Sequence, residues 1–147
     1  MVENDGIHSV RRRASTVYVK AGLHRIRLDW FNGPGRYGLQ VDFAGPGVSH
    51  QRVPDSALFR AQPEPANGGA GLINGLDYRV FKGDWGGLLP SFRQLTPVKV
   101  GTAANFDIGV RTRDEHVGLE FTGYEVTISL KHVKTLLLFT SLHLWTD

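Results

Sequence analysis

At 147 residues the chain has the length of one domain and can bury about two-thirds of its unfolded surface. Eighteen glycines against seven prolines, with 41% hydrophobic and 21% charged residues, exclude collagen-like, low-complexity and disordered polyelectrolyte chains. The net charge of +3 arises before residue 75, and the adjacent Arg11, Arg12 and Arg13 make too small a patch for a duplex-binding face, so no nucleic-acid partner is expected.

Cysteine is absent, which removes disulfides, thiolate metal sites and a cysteine nucleophile. The opening residues lack the basic and apolar regions of a secretory signal. The most apolar stretch, 136–145, is interrupted by Thr140, Ser141 and His143 and is too short to span a bilayer, so no membrane insertion is expected.

From Thr16 onward apolar residues recur at every second position: Val17 and Val19, then Ile26, Leu28 and Trp30, then Tyr37, Leu39, Val41 and Phe43. Period two is the pattern of half-buried strands, and the breaks at Ala21-Gly22, Asn32-Gly-Pro-Gly35 and Ala44-Gly-Pro-Gly47 are turn signals. Three strands so closely spaced predict an antiparallel meander. Residues 61–74 collect Pro, Gly and Asn without periodicity and read as a flexible linker reaching about 20 Å. Beyond it, Leu76, Tyr78 and Val80 predict a strand, 82–97 reads as a loop holding Trp85 and Phe92, and Val117, Leu119 and Phe121 predict another strand. The fold class expected is all-β, an antiparallel sandwich or barrel.

No Gly-x-Ser-x-Gly elbow, His-Glu-x-x-His helix or phosphate-binding Gly-x-x-x-x-Gly-Lys-Ser/Thr loop is present, and the six histidines lack metal-ligand spacing. Asp114-Glu-His116 groups two carboxylates with an imidazole, but neighbours on a strand point to opposite faces and converge only in a loop. Asn4-Asp-Gly-x-His8 sets oxygen ligands beside a glycine turn, as hard cations and sugar hydroxyls both favour, and is equally an Asx-turn bonded to its own backbone. Trp30, Trp85 and Trp145 could stack on sugar rings, although strand tryptophans more commonly pack in cores.

Several strings resemble a PA14 domain. Gly75-Leu-Asp-Tyr-Arg-Val-Phe-Lys-Gly-Asp-Trp85, Leu89-Pro-Ser-Phe92, Leu95-Thr-Pro-Val-Lys99, Asn105-Phe-Asp107, Val110-Arg-Thr-Arg-Asp114 and Phe121-Thr-Gly-Tyr124 are similar to its opening half. Glu3-Asn-Asp-Gly-Ile-His8, Ala21-Gly-Leu-His24, 26–31, Gly38-Leu-Gln-Val41, Gly45-Pro-Gly47 and Val53-Pro-Asp-Ser-Ala-Leu58 are similar to its closing half. The resemblance thus reads residues 1–60 as a C-terminal half, 61–74 as the linker, and 75–147 as an N-terminal half with a divergent tail from about 125. The halves stand in permuted order, as in a circular permutant or an out-of-phase fragment of a tandem repeat. In either case the two halves are expected to complement one another.

The resemblance implies calcium held by two neighbouring aspartates just ahead of the Leu-Trp-Thr-Asp position. Here Phe139-Thr-Ser141 leads directly into Leu142, so that loop is missing and no cofactor is expected. No Gly, Pro, Asn or Asp occurs between Tyr124 and Thr146, and the run 126–138 reads either as an exposed, aggregation-prone β segment or as a short helix through Leu130, Val133, Leu137 and Leu144.

The resemblance implies a non-catalytic, extracellular or cell-surface accessory module whose partners are glycans or adjacent domains. Asn4, Asp5, His8 and Asp147 are the candidate carbohydrate-binding residues; no catalytic or metal residues are assigned. A spacer or protein-interaction role would show no pocket of convergent polar groups. A hydrolase would need two facing carboxylates among Asp114, Glu115, Glu120 and Glu125.

Overall fold

The structure, a computed structural model, describes residues 2–6, 12–45, 47–63, 71–127, 132–139 and 142–146; of side chains, those of 2–4, 12 and 128–147 are not described. Among the described residues there is no α-helix, and the chain is all-β. Its strands are β1 (Val2–Asn4), β2 (Arg12–Val19), β3 (Gly22–Asn32), β4 (Val41–Gly45), β5 (Val48–Arg52), β6 (Leu58–Ala61), β7 (Leu72–Asn74), β8 (Leu76–Lys82), β9 (Lys99–Ala103), β10 (Val117–Thr127), β11 (His132–Phe139) and β12 (Leu142–Thr146).

Two antiparallel sheets share these strands. The larger runs β1-β12-β3-β10, and the far edge of β10 is divided: residues 117–122 pair with β8, which carries β9, while Tyr124 and Glu125 pair with β6, which carries β7. The smaller runs β2-β11-β4-β5. Gly123 stands where β10 changes partner. A Cβ there would lie 2.5 Å from the Phe59 carbonyl oxygen and 2.6 Å from a Leu76 methyl, so only glycine lets both neighbours approach.

Alternation places the core. Ile26, Leu28 and Trp30 of β3, Val117, Leu119 and Phe121 of β10, and Leu76, Tyr78 and Val80 of β8 face inward in register. Opposite them lie Val41 of β4, with Val53 and Phe106 from connecting segments. Full burial of each large apolar side chain stabilises the fold by about 1.5–3 kcal/mol. Asn105 knits this side of the core, its Nδ2 donating to the Val53 carbonyl at 2.8 Å and to Asp55 Oδ1 at 2.7 Å while its Oδ1 accepts from Phe106 N–H.

The strands expected between Thr16 and Phe43 form, but not the meander. β2 and β4 belong to the smaller sheet and β3 to the larger, because β11 inserts between β2 and β4, and β12 and β10 take the two sides of β3. Tyr37 and Leu39 precede β4 rather than opening it. The Gly33-Pro-Gly35 break is followed by irregular chain in which Trp30 Nε1 donates to the Gly38 carbonyl and the Tyr37 ring meets Trp30 edge-on.

The segment read as a linker enters the larger sheet at both ends. Ala61 pairs with Leu72, and Gln62 N–H donates to the Gly71 carbonyl at 2.8 Å. The helix expected as one option for the tail does not form: 132–139 and 142–146 are strands, with Leu130 outside the described residues. Nor are those strands exposed edges, for β11 lies between β2 and β4 and β12 between β1 and β3.

Candidate functional site

The outer face of the larger sheet carries the residues whose alternation points away from the core. β3, β10 and β8 lie side by side in strict register, so their outward residues form rows across three strands: Phe31, Gly118 and Phe81, then Asp29, Glu120 and Arg79, then Arg27, Thr122 and Asp77.

The first row is covered. The segment between β8 and β9 folds over it and sets Phe92 flat against Phe81, ring centroids 4.5 Å apart and planes within 3°. Trp85 meets Phe31 and Phe92 edge-on. Gly118 lies beneath: a Cβ would come within 2.5 Å of the Phe92 ring, so the close seat of this cover depends on its lacking a side chain. Trp85 and Phe92, expected as loop aromatics with Trp85 also weighed for sugar stacking, thus form a second small apolar cluster with Phe31 and Phe81.

The second and third rows hold charge. Asp29 and Glu120 sit directly opposite one another, an arrangement that repels when left uncompensated. Two guanidiniums compensate it. Arg27 donates Nε and Nη2 to the two Asp29 oxygens at 2.8 and 2.7 Å, and the same Nη2 reaches Glu120 Oε2 at 2.9 Å. Arg79 Nε donates to the other Glu120 oxygen at 2.7 Å. Burial works against the Arg27 charge, but the hydrogen bonds to Asp29 and the nearby charges of Asp29 and Glu120 outweigh it and hold the guanidinium above its ordinary value. The carboxylates are buried with every oxygen addressed, which is what lets charged groups lie on a sheet at little net cost.

These rows form the floor of an open groove of about 1080 Å³. Its walls are Leu89, Pro90, Ser91 and Arg93 of the covering segment on one side, and at the open end Arg25 and half-buried Tyr124. Fixed donors and acceptors on a rigid floor, with an aromatic face at the side, are the components of a site for a hydroxyl-rich ligand.

Asp5 bears on this site indirectly. Its Oδ1 accepts from Gly6 N–H, the next residue, at 2.7 Å and from Leu89 N–H at 3.0 Å, so it ties the N-terminal segment to the groove wall. Asn4 ends β1, its backbone opposite Leu142, while His8 and Asp147 lie outside the described residues. Among the described residues no three His, Asp or Glu side chains come together as metal ligands.

Of the carboxylates weighed for hydrolysis, Asp114 and Glu115 lie with His116 in the loop ahead of β10 and line one open pocket there, whereas Glu120 belongs to the groove floor. Glu120 and Glu125 are an odd number of residues apart on β10 and so face opposite sides of the sheet. Asp114 and Glu115 brace a turn: Glu115 Oε1 accepts from Gly35 N–H at 2.9 Å, and Asp114 Oδ1 accepts from the Tyr37 hydroxyl at 3.1 Å and Arg111 Nη2 at 2.7 Å. The hydrogen bond from Arg111, then that from Tyr37, holds the Asp114 carboxyl below its ordinary value.

Of the groove floor, only Glu120 stands out in the sequence as a candidate. Arg25, Arg27, Asp29, Asp77, Arg79 and Tyr124 occupy the polar positions of period-two strands, and that alternation was the signal available. No family model matches the chain, and among curated proteins and solved structures nothing matches it.

Proposed function

We propose that this chain is a non-catalytic, PA14-like accessory module of an extracellular or cell-surface protein, and that it binds carbohydrate in the groove on the outer face of the larger sheet. The observation that carries the reading is the floor itself: two arginines and two carboxylates, locked by mutual hydrogen bonds at 2.7–2.9 Å, beneath an open groove flanked by Tyr124. Such a floor is organised before the ligand arrives, so little ordering cost opposes binding. The carboxylates are tied to guanidiniums rather than poised to exchange protons, which suits recognition better than hydrolysis. A spacer would have no need of convergent polar groups in a groove.

The permuted reading of the halves fits the interleaving of the strands. The full eleven-residue length of β3 pairs with β10, so strands from before and after 61–74 complete one core. With the paired-aspartate loop missing from the sequence, binding is independent of calcium.

Calorimetric titration of the whole chain with a panel of neutral and acidic oligosaccharides, with and without EDTA, tests this. Binding is expected to be insensitive to EDTA and to weaken about tenfold in Tyr124→Ala, the scale of one lost aromatic face. Tight binding abolished by EDTA would overturn the groove as the site, and silence across the panel would overturn carbohydrate binding and favour the spacer.

A further inference from the structure

We infer that the groove selects acidic saccharides, carboxylate-bearing uronates, over neutral ones; this rests on the carbohydrate reading and adds the ligand class. Four arginines line the groove, Arg25, Arg27, Arg79 and Arg93, against the carboxylates Asp29, Asp77 and Glu120. The charges are not evenly committed. Arg27 and Arg79 are spent on Asp29 and Glu120, and Asp77 has Arg60 beside it at 3.9 Å. Arg25 and Arg93 are exposed, and among the described residues neither has an ion-pair partner.

The two uncommitted guanidiniums come from different parts of the molecule. Arg25 projects from β3 at the open end of the floor, in register with Tyr124, and Arg93 projects from the covering segment just after Phe92. Phe92 is fully buried against Phe81, so the backbone that carries Arg93 is anchored. A guanidinium presents two parallel N–H donors that match a planar carboxylate, whereas a neutral sugar offers only hydroxyls. A uronate oligomer can lay a ring against Tyr124 and present a carboxylate to each arginine. The neutralised floor beneath adds no net repulsion.

The test compares one oligosaccharide in two forms, an oligouronate and the same oligomer with its carboxyls reduced to alcohols, by calorimetry on the whole chain at low and at moderate salt. The acidic form is expected to bind at least about tenfold tighter, with the preference shrinking as salt is added, because exposed charges are screened. Arg25→Gln and Arg93→Gln are each expected to reduce that preference, and the double variant to abolish it, with the thermal midpoint unchanged because both side chains are exposed. Equal affinity for the two forms, or a preference that survives both substitutions, overturns the selectivity and leaves the carbohydrate reading standing. Failure of both forms to bind overturns both.

Discussion

Replacing Glu120 by alanine is expected to destabilise the fold by about 2–3 kcal/mol. Its side chain is 5% exposed and holds two cations, Arg27 at 2.9 Å and Arg79 at 2.7 Å. Removing one partner of a fully buried ion pair costs about 3–5 kcal/mol, because the remaining charge is stranded. Here the stranded groups are not fully buried: Arg27 is 22% and Arg79 37% exposed, and Arg27 keeps its two hydrogen bonds to Asp29. Water can therefore reach part of what the carboxylate leaves, and the loss falls toward the range of one or two charge-assisted hydrogen bonds, about 1.5–3 kcal/mol each. The Arg79→Ala change leaves one oxygen of the buried Glu120 carboxylate without its partner and should cost a similar amount, and the double variant should cost less than the sum of the two singles by about 1 kcal/mol or more. Urea unfolding followed by tryptophan fluorescence reads this as a lower midpoint at an unchanged slope. In a thermal melt the alanine variant should fall by roughly 4–12 °C, at about 2–4 °C per kcal/mol for a chain of this size. A Glu120→Ala midpoint within error of the parent, or additive single substitutions, would refute the network as the element that holds the groove floor.

Two further outcomes follow from the same geometry. Because β3 pairs with β10, β11 with β2 and β4, and β12 with β1 and β3, a chain nicked between 61 and 74 should still migrate as one particle in size-exclusion chromatography, and elution as two separate fragments would show that the halves are not interdependent. The depressed Asp114 carboxyl links the Arg111–Tyr37 brace to pH: the unfolded chain takes up the proton first as pH falls, so the contribution is present above the ordinary carboxylate value of about 3.9 and is lost below it. Melting curves of the parent and Asp114→Asn should accordingly differ at pH 7 and converge toward pH 3, and a difference that does not change with pH would refute the assignment.

The faces of the strands were legible and their neighbours were not. Period-two alternation marks Ile26, Leu28 and Trp30 as inward wherever β3 sits, because a side chain's face depends on its own strand. Which strand lies beside it depends on a partner nearly a hundred residues away, and closeness in sequence favoured the meander that β11 and β12 prevent. The site was hidden for a related reason. Arg27, Asp29, Arg79 and Glu120 each look like an ordinary solvent-facing position of a half-buried strand. Only the register, which sets Glu120 opposite both Asp29 and Arg79, turns four separate polar residues into one network.

The tail shows how position can stand in for composition. Read alone, 132–146 is an apolar, β-prone stretch without proline or acidic gatekeepers, the kind of strand that invites pairing with another chain. An aggregation-prone strand is dangerous through its open backbone edge, and here most of that edge is covered: β11 pairs along its length with β2 and over 135–138 with β4, and β12 pairs along its length with β3 and over 142–144 with β1. The edges fall instead to β1, β7 and β9 of the larger sheet and β2 and β5 of the smaller. β2 opens with Arg12 and Arg13, β5 is mostly exposed and polar, and β9 begins at Lys99. The pairing of β11 and β12 therefore depends on the first sixty residues, because β1, β2, β3 and β4 all come from them.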